Sequence, residues 1–304
     1  MFAGTPAVAL PSLDALLDST HEVVAVVTRP DAPSGRGKKL QPSPVAQRAA
    51  ELGIETLKPV RPREADFVSR LTELAPDCCP VVAYGALLPQ AVLDIPTHGW
   101  VNLHFSLLPA WRGAAPVQHA VLAGDPVTGA TTFQLVAAMD AGPVYATVSE
   151  TIADTDTAGD LLTRLSISGS ELLLATMNGI SADLLTAVPQ SDVGVTLAPK
   201  LTVEDARIDW KLSATRLDRL IRGCSPAPGA WSTFQGDRLK INAARPVDEV
   251  LPPGVLAATK RTVRVGTGTQ ALELGEVQAA GKKPMRAADW ARGVTFVEAE
   301  VLGP

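Results

Sequence analysis

The sequence predicts an α/β domain with a mostly parallel sheet, followed by a small antiparallel β-barrel. Three observations carry that expectation. The first 28 residues run strand, helix, strand, a β-α-β opening that calls for parallel pairing. Beyond Ile208, short strands alternate with dense turn signals, the pattern of a small barrel. A length of 304 residues favours two domains over one and suffices to bury a sizeable core.

In order, Phe2-Ala3-Gly4-Thr5-Pro6 reads as the tail of a strand entering a turn, Pro11 to Leu17 has helical periodicity, and His21 to Thr28 is a β-branched strand. Only Met1 and Phe2 precede the first turn, too little for a central strand, so a trimmed or misassigned start is expected. From Arg29 to Pro44, prolines and glycines exclude regular structure, and Arg29, Arg36, Lys38 and Lys39 place four basic groups within eleven residues. Such a loop suits phosphate contact or a solvated excursion. Gly35-Arg36-Gly37-Lys38-Lys39 lacks the spacing of a phosphate-binding P-loop. Val45 to Gly53 is helical, Glu55 to Leu57 a short strand, and Arg63 to Leu74 an amphipathic helix with a Phe67, Leu71, Leu74 stripe. Cys79 to Tyr84 is a buried strand that turns through Gly85-Ala86-Leu87-Leu88-Pro89. A helix at residues 117–123, a strand from Gly129 to Leu135 and a long helix from Thr157 to Gly179 complete the first part.

Residues 183–206 are polar, irregular and proline-containing, a linker between a domain of residues 1–182 and one of residues 207–304. The helix from Ala214 to Ile221 puts Arg216, Arg219 and Arg222 on one exposed face. Strands then follow at Gly229–Phe234, Leu239–Ala243, Val255–Ala258, Thr262–Val265 and Gln270–Leu274. Gly266-Thr267-Gly268 looks like part of a dinucleotide fingerprint, but it joins two strands and opens no helix, so it reads as a hairpin turn. Trp290 is expected to pack the last helix.

Composition narrows the function classes. The net charge is −5. Residues 1–190 carry 11 Lys/Arg against 19 Asp/Glu, whereas residues 191–304 carry 16 against 13, so an anionic partner is expected at the C-terminal third. No apolar run approaches the roughly 20 residues of a membrane span, and the start has no basic leader segment. Three cysteines, two of them adjacent, offer neither a disulfide framework nor a zinc spacing, which suits a reducing cytoplasm.

The most informative stretch is Val101 to Gly113. An apolar strand ends there on Asn102 and His104, which lie two apart and so share a face. Pro109 and Gly113 then stop the strand. Polar groups at the carboxyl end of a buried strand are where open α/β sheets place their chemistry. Asp140, in a Gly/Pro turn beyond the Gly129 to Leu135 strand, suits either a turn cap or an orienting partner for His104.

These blocks, namely Phe2-Ala3-Gly4-Thr5-Pro6, Val82-Ala83-Tyr84-Gly85, Asn102-x-His104-x-Ser106-Leu107-Leu108-Pro109-x-Trp111-Arg112-Gly113-Ala114-Ala115-Pro116 and Asp140-x-Gly142, resemble the methionyl-tRNA formyltransferases over nearly the whole chain. The Asn/His/Ser-Leu-Leu-Pro block marks the wider formyltetrahydrofolate-dependent superfamily. The Ala-Gly-Thr-Pro start, the Gly-Arg-Gly-Lys-Lys loop and the Arg-Gly-Ala-Ala-Pro extension narrow it. The resemblance implies a Rossmann-like formyltransferase domain and an OB-like C-terminal barrel. It implies formyl transfer from 10-formyltetrahydrofolate to initiator methionyl-tRNA for translation initiation, by a cytoplasmic monomer with no metal and no covalent enzyme intermediate.

By the same resemblance Asn102, His104 and Asp140 are the catalytic trio. Tyr84, Gly85, Ala86, Leu87, Leu88, Pro89, Ser106, Leu107, Leu108, Pro109 and Met139 hold the folate, whose ring stacks against the turn from Tyr84 to Pro89 and the loop before Asp140. Arg36, Lys38, Lys39 and Lys200 hold the tRNA. The residue types fit the chemistry: a histidine relays a proton near neutral pH, and a carboxamide donates to a developing oxyanion. Asp140 either fixes the imidazole tautomer or helps take the amine proton. Ser106 and Arg112 also read as supports for the turn, and Arg112 equally as a salt-bridge partner. Two positions depart from the family pattern, Phe105 where a small residue is usual and Pro143 where an aspartate is common. The rival readings are another superfamily member acting on a free small amine, and a non-catalytic RNA-binding paralogue.

Overall fold

The computed structural model describes residues 1–34, 39–296 and 300–303. The chain folds as two units. The first holds Met1–Pro116, Val127–Thr151 and Leu162–Ala198, and the second Val117–Pro126, Ile152–Leu161 and Pro199–Pro304.

The elements that build the first unit are β1 (Phe2–Gly4), α1 (Leu10–Leu17), β2 (Val26–Val27), β3 (Ala32–Ser34), β4 (Lys39–Gln41), α2 (Pro44–Glu51), β5 (Thr56–Leu57), α3 (Ala65–Leu74), β6 (Cys79–Val82), α4 (Gln90–Leu93) and β7 (Trp100–His104), then, beyond α5 (Pro116–Ala123), β8 (Val127–Gln134), β9 (Val144–Thr151) and most of α6 (Ala158–Ser181). Among the described residues the main sheet has seven strands in the order β5-β2-β1-β6-β7-β8-β9. The pairs from β5 to β7 are parallel, and β7–β8 and β8–β9 are antiparallel. The chain leaves β1 toward β2 and β5, then returns to β6 on its other side. That reversal opens a crevice at the carboxyl ends of β1 and β6, the place where doubly wound sheets receive ligands.

Three features depart from the sequence expectation. Although β1 has only three residues, it is central, flanked by β2 and β6. Full burial of Phe2 and Ala3 on opposite faces compensates for its brevity. The basic stretch is not wholly irregular, since β3 and β4 form an antiparallel ribbon in which Pro33 faces Leu40. A two-stranded ribbon is all edge, so a proline that cannot donate is tolerated there. Strand β9 is an addition to the expected elements, its Val144, Ala146 and Val148 alternating with polar residues; it pairs with β8 from Val127↔Thr151 to Phe133↔Val144.

One face of the sheet buries Met1, Ala3, Val27, Val81 and Trp100 with Phe67 and Leu71 of α3. On β7, Leu103 points away from Trp100 and meets α6 at Gly169, where an added Cβ would lie 3.0 Å from Leu103. Trp100, Asn102 and His104 therefore share the face opposite Leu103, the one that packs against α3 lower down.

The second unit contains α7 (Ala214–Gly223), β10 (Trp231–Phe234), β11 (Asp237–Pro246), β12 (Leu256–Ala258), β13 (Val263–Val265), β14 (Leu272–Ala279), β15 (Met285–Arg286) and α8 (Ala287–Arg292). Its described strands form an antiparallel sheet, β10-β11-β14-β13-β12, with β15 on β14. Register shifts in β11 near Ala243 bend that long strand and help the sheet curl. The Gly266–Gly268 turn joins β13 to β14, as a hairpin should. Trp290 stands edge-on to Phe234 with ring centres 4.9 Å apart. The arginines of α7 depart from the expected single exposed face. Arg216 is exposed, but Arg222 is largely buried against Asp218 at 2.9 Å and donates to the Asp156 carbonyl, and Arg219 donates to the Ala123 carbonyl.

Trp100 is fully buried, and its Nε1–H donates to the Val92 carbonyl at 2.9 Å. Trp100→Ala should cost about 3–5 kcal/mol, measured by chemical denaturation, because it empties the core between the sheet and α3 and strands that carbonyl.

Candidate active site

Strand β7 delivers Asn102 and His104 to the carboxyl edge of the sheet beside the end of β6, where Asn102 is half-buried and His104 is 6% exposed. They line a cleft of about 560 Å³, within the range of small-molecule sites. Its walls include the Ala83–Leu88 turn after β6, Phe105, Gly113, Leu135–Ala137, Met139 and Asp140. Leu87 is 75% exposed, Met139 60% and Val136 38%, so the mouth presents apolar side chains to water. Such a rim suits a flat heteroaromatic ligand. Thr5 braces the turn, its Oγ1–H donating to the Tyr84 carbonyl at 2.8 Å.

The histidine's environment fixes its protonation. Nε2 lies 2.8 Å from the Trp111 carbonyl oxygen, which can only accept, so Nε2 carries the hydrogen and Nδ1 keeps a lone pair. Nδ1 lies 3.9 Å from Asp140 Oδ2, close enough for charge attraction and too far for a hydrogen bond. Asp140 Oδ2 accepts the Gly113 N–H at 2.7 Å. Burial lowers the His104 pKa below the ordinary imidazole value, while the Asp140 charge and the Trp111 carbonyl pull it partly back. The imidazole is therefore neutral near pH 7 and gains its proton at a lower pH than an ordinary imidazole does.

The backbone that holds these groups is unusual. Asp140 has φ 49°, Trp111 60° and Ala83 49°, left-handed values that non-glycine residues seldom adopt, and they cluster around one cleft. Gly113 has φ 128°, and a Cβ there would sit 2.6 Å from the Ala198 carbonyl oxygen. At Gly142 a Cβ would lie 1.7 Å from the Gln134 carbonyl oxygen, so only glycine lets the Asp140 turn fold onto β8.

A strap from residues 188–198 locks the loop after β7. Arg112 N–H donates to the Thr196 carbonyl at 2.9 Å, and Ala198 N–H to the Arg112 carbonyl at 2.7 Å. The Trp111 N–H donates to Thr196 Oγ1 at 2.8 Å. The strap lies in the segment that the sequence suggests as a linker.

Of the residues expected at the site, Asn102, His104, Asp140, Tyr84, Gly85, Ala86, Leu87, Leu88 and Met139 meet at the cleft. Pro89, Ser106, Leu107, Leu108 and Pro109 do not line it. Ser106 is fully buried and takes the turn-supporting part also expected of it: its Oγ–H donates to the Ala110 carbonyl at 2.6 Å, and its own carbonyl accepts from Thr131. Arg36 and Lys38 lie outside the described residues, whereas Lys39 and Lys200 are exposed. Phe105 lines the cleft, and Pro143 immediately precedes β9. The loop before Asp140, expected beside the folate, lines the cleft through Val136, Ala137 and Met139, whereas sequence reasoning did not find Leu135 as lining, nor Thr131, Gln190 and Thr196 as supports. Burial pushes the Cys78 and Cys79 thiols up to about 11 and about 12, and neither lines the cleft.

A strand-end Asn/His pair with an aspartate opposite, at the crevice of a mostly parallel sheet, matches a known family. The formyl transferase profile matches residues 1–177, the profile of the formyl transferase C-terminal domain matches residues 200–295, and the chain belongs to this family. At finer grain the chain is 65% identical to the methionyl-tRNA formyltransferase of Streptomyces coelicolor, over 100% of this chain and 99% of that one. It is 63% identical to the protein of that name from Thermobifida fusca, over 100% and 98%. Among solved structures, the fold resembles WlaRD, a sugar 3N-formyl transferase, with a TM-score of 0.69, 16% identity and 93% and 97% of the two chains covered. An N-formyltransferase from Helicobacter canadensis gives 0.69 at 15% identity, covering 91% and 98%.

Asp140→Asn removes a charge that raises the His104 pKa. The His104 titration followed by NMR should move to still lower pH in that variant; an unchanged or raised titration would show that the carboxylate does not act on the imidazole.

Proposed function

We infer that this chain transfers the formyl group of 10-formyltetrahydrofolate to the α-amino group of initiator methionyl-tRNA. The observation that carries the chemistry is the neutral His104, with Nε2–H committed to a backbone carbonyl and Nδ1 left basic in the cleft. The residues present fit the folate: the apolar Leu87, Val136 and Met139 suit a flat ring, and the Ala83–Leu88 turn offers backbone polar groups beside it. When bound, 10-formyltetrahydrofolate supplies the formyl carbon and, on losing it, an amine.

In the proposed mechanism His104 Nδ1 accepts a proton from the attacking amino group, a role open to it because its lowered pKa keeps it unprotonated at neutral pH. Asp140 then faces an imidazolium at 3.9 Å and stabilises the charge it has gained. The tautomer is set by the Trp111 carbonyl, which leaves Asp140 the electrostatic part. Asn102, on the same face of β7, directs its carboxamide N–H groups to the oxygen on which negative charge gathers, worth about 2.7–4 kcal/mol in comparable sites. The proton held by His104 is then available to the departing amine. Burial and the apolar walls keep water from competing as acceptor.

The first unit serves catalysis in this reading, and the basic loop with Arg36, Lys38 and Lys39, together with Lys200 and the residues 207–304, engages the tRNA. No described helix is long and apolar enough to cross a membrane, and a monomer in the cytoplasm completes the proposal. The test is transfer of labelled formyl to initiator methionyl-tRNA, with elongator methionyl-tRNA as control. Initiator-selective transfer is expected, and His104→Ala should lower kcat by about 10²–10⁴-fold with tRNA affinity nearly intact. Formylation of a free amino sugar, with none of methionyl-tRNA, would overturn the acceptor assignment.

A further inference from the structure

We propose that Gln190 is a positioning residue for the reaction, closing a ring that sets the spacing of His104 and Asp140; the proposal rests on the roles just given to those two groups. The Gln190 carboxamide is engaged on both sides. Its Oε1 accepts from Arg112 Nε at 3.1 Å and from Arg112 Nη2 at 2.6 Å. Its Nε2 donates to the Asp140 carbonyl at 2.8 Å and to the Gly142 carbonyl at 2.8 Å. One side chain thereby joins the turn that carries Asp140 to the residue between Trp111 and Gly113. Those two neighbours make the contacts that matter: the Trp111 carbonyl holds His104 Nε2, and the Gly113 N–H holds Asp140 Oδ2.

Gln190 is itself fixed from both directions along the strap. Two residues before it, Val188 exchanges backbone hydrogen bonds with Val144 at the start of β9, at 2.7 and 2.8 Å. Beyond it, Leu197 bridges to Arg112. The carboxamide is thus held on a segment that is anchored independently of the contacts it makes. Asp140 sits at φ 49°, a conformation that persists only where the surroundings over-determine it. Two hydrogen bonds from Gln190 to the carbonyls of Asp140 and Gly142 supply that determination. A hydrocarbon in place of the carboxamide would leave Arg112 and both carbonyls without these partners and free the turn.

Gln190→Met keeps the length of the side chain and removes every polar contact. A misplacement of about 1 Å between reacting groups costs on the order of 10²-fold, so kcat should fall by about 10- to 10²-fold while KM for 10-formyltetrahydrofolate and for methionyl-tRNA stays within about twofold. The second readout needs no substrate. With the Asp140 turn released, the carboxylate's hold on His104 weakens, and the His104 titration by NMR should shift downward. Arg112→Met opens the same ring from the other side and carries the same expectation, which covers a Gln190 variant that does not fold. A folded variant with wild-type kcat, a loss confined to KM, or an unmoved His104 titration overturns the proposal. A wild-type protein that formylates no methionyl-tRNA would instead count against the acceptor assignment, and the NMR titration would still decide the role of Gln190.

Discussion

The hydrogen bond between His104 Nε2 and the Trp111 carbonyl is the constraint on which the site's chemistry depends. A buried neutral imidazole can present its lone pair at either nitrogen, and which one faces the cleft decides what it can accept. The fold settles the choice by placing an acceptor-only group at Nε2. That placement requires Trp111 at φ 60° and Gly113 free of a side chain, so that the loop after β7 can lie against the Thr196–Ala198 strap. The sheet contributes the other half. Strand β7, buried between β6 and β8, fixes the direction of His104, and the ring of Phe133 stands perpendicular to the imidazole with centres 6.3 Å apart.

The same geometry separates two tasks that a single carboxylate could have performed. Because Asp140 stands 3.9 Å from Nδ1 and is tied to the Gly113 amide, it leaves the lone pair open while its charge remains felt. In the proposed mechanism this lets His104 begin neutral and end charged beside a partner, with little rearrangement between the two states. Asn102 needs no comparable apparatus, since its direction follows from lying two residues before His104 on one strand.

Much of this was legible in the sequence because it is local. The i, i+2 relation of Asn102 and His104, the β-α-β opening and the hairpin at Gly266–Gly268 all follow from short-range periodicity and turn chemistry. The tight turn at Asp140 was legible too, through Gly142. What stayed hidden depends on partners distant in the chain. Ser106 is readable as a turn support, but its partner Thr131 lies 25 residues away and is not. Gln190 lies 50 residues beyond Asp140, in a stretch whose polar, proline-containing texture suggests only a linker. No spacing rule singles it out. Strand β9 was readable from its alternation, and β1 was underestimated because a strand buried on both sides holds its place with fewer residues than the average.

The most direct measurement on the central claim is the protonation state of each ring nitrogen of His104, read from ¹⁵N spectra of the selectively labelled protein at neutral pH. Hydrogen on Nε2 with an unprotonated Nδ1 is expected, as a neutral base aimed into the cleft requires. Hydrogen on Nδ1, or an imidazolium at pH 7, would contradict it and return the proton-accepting role to another group.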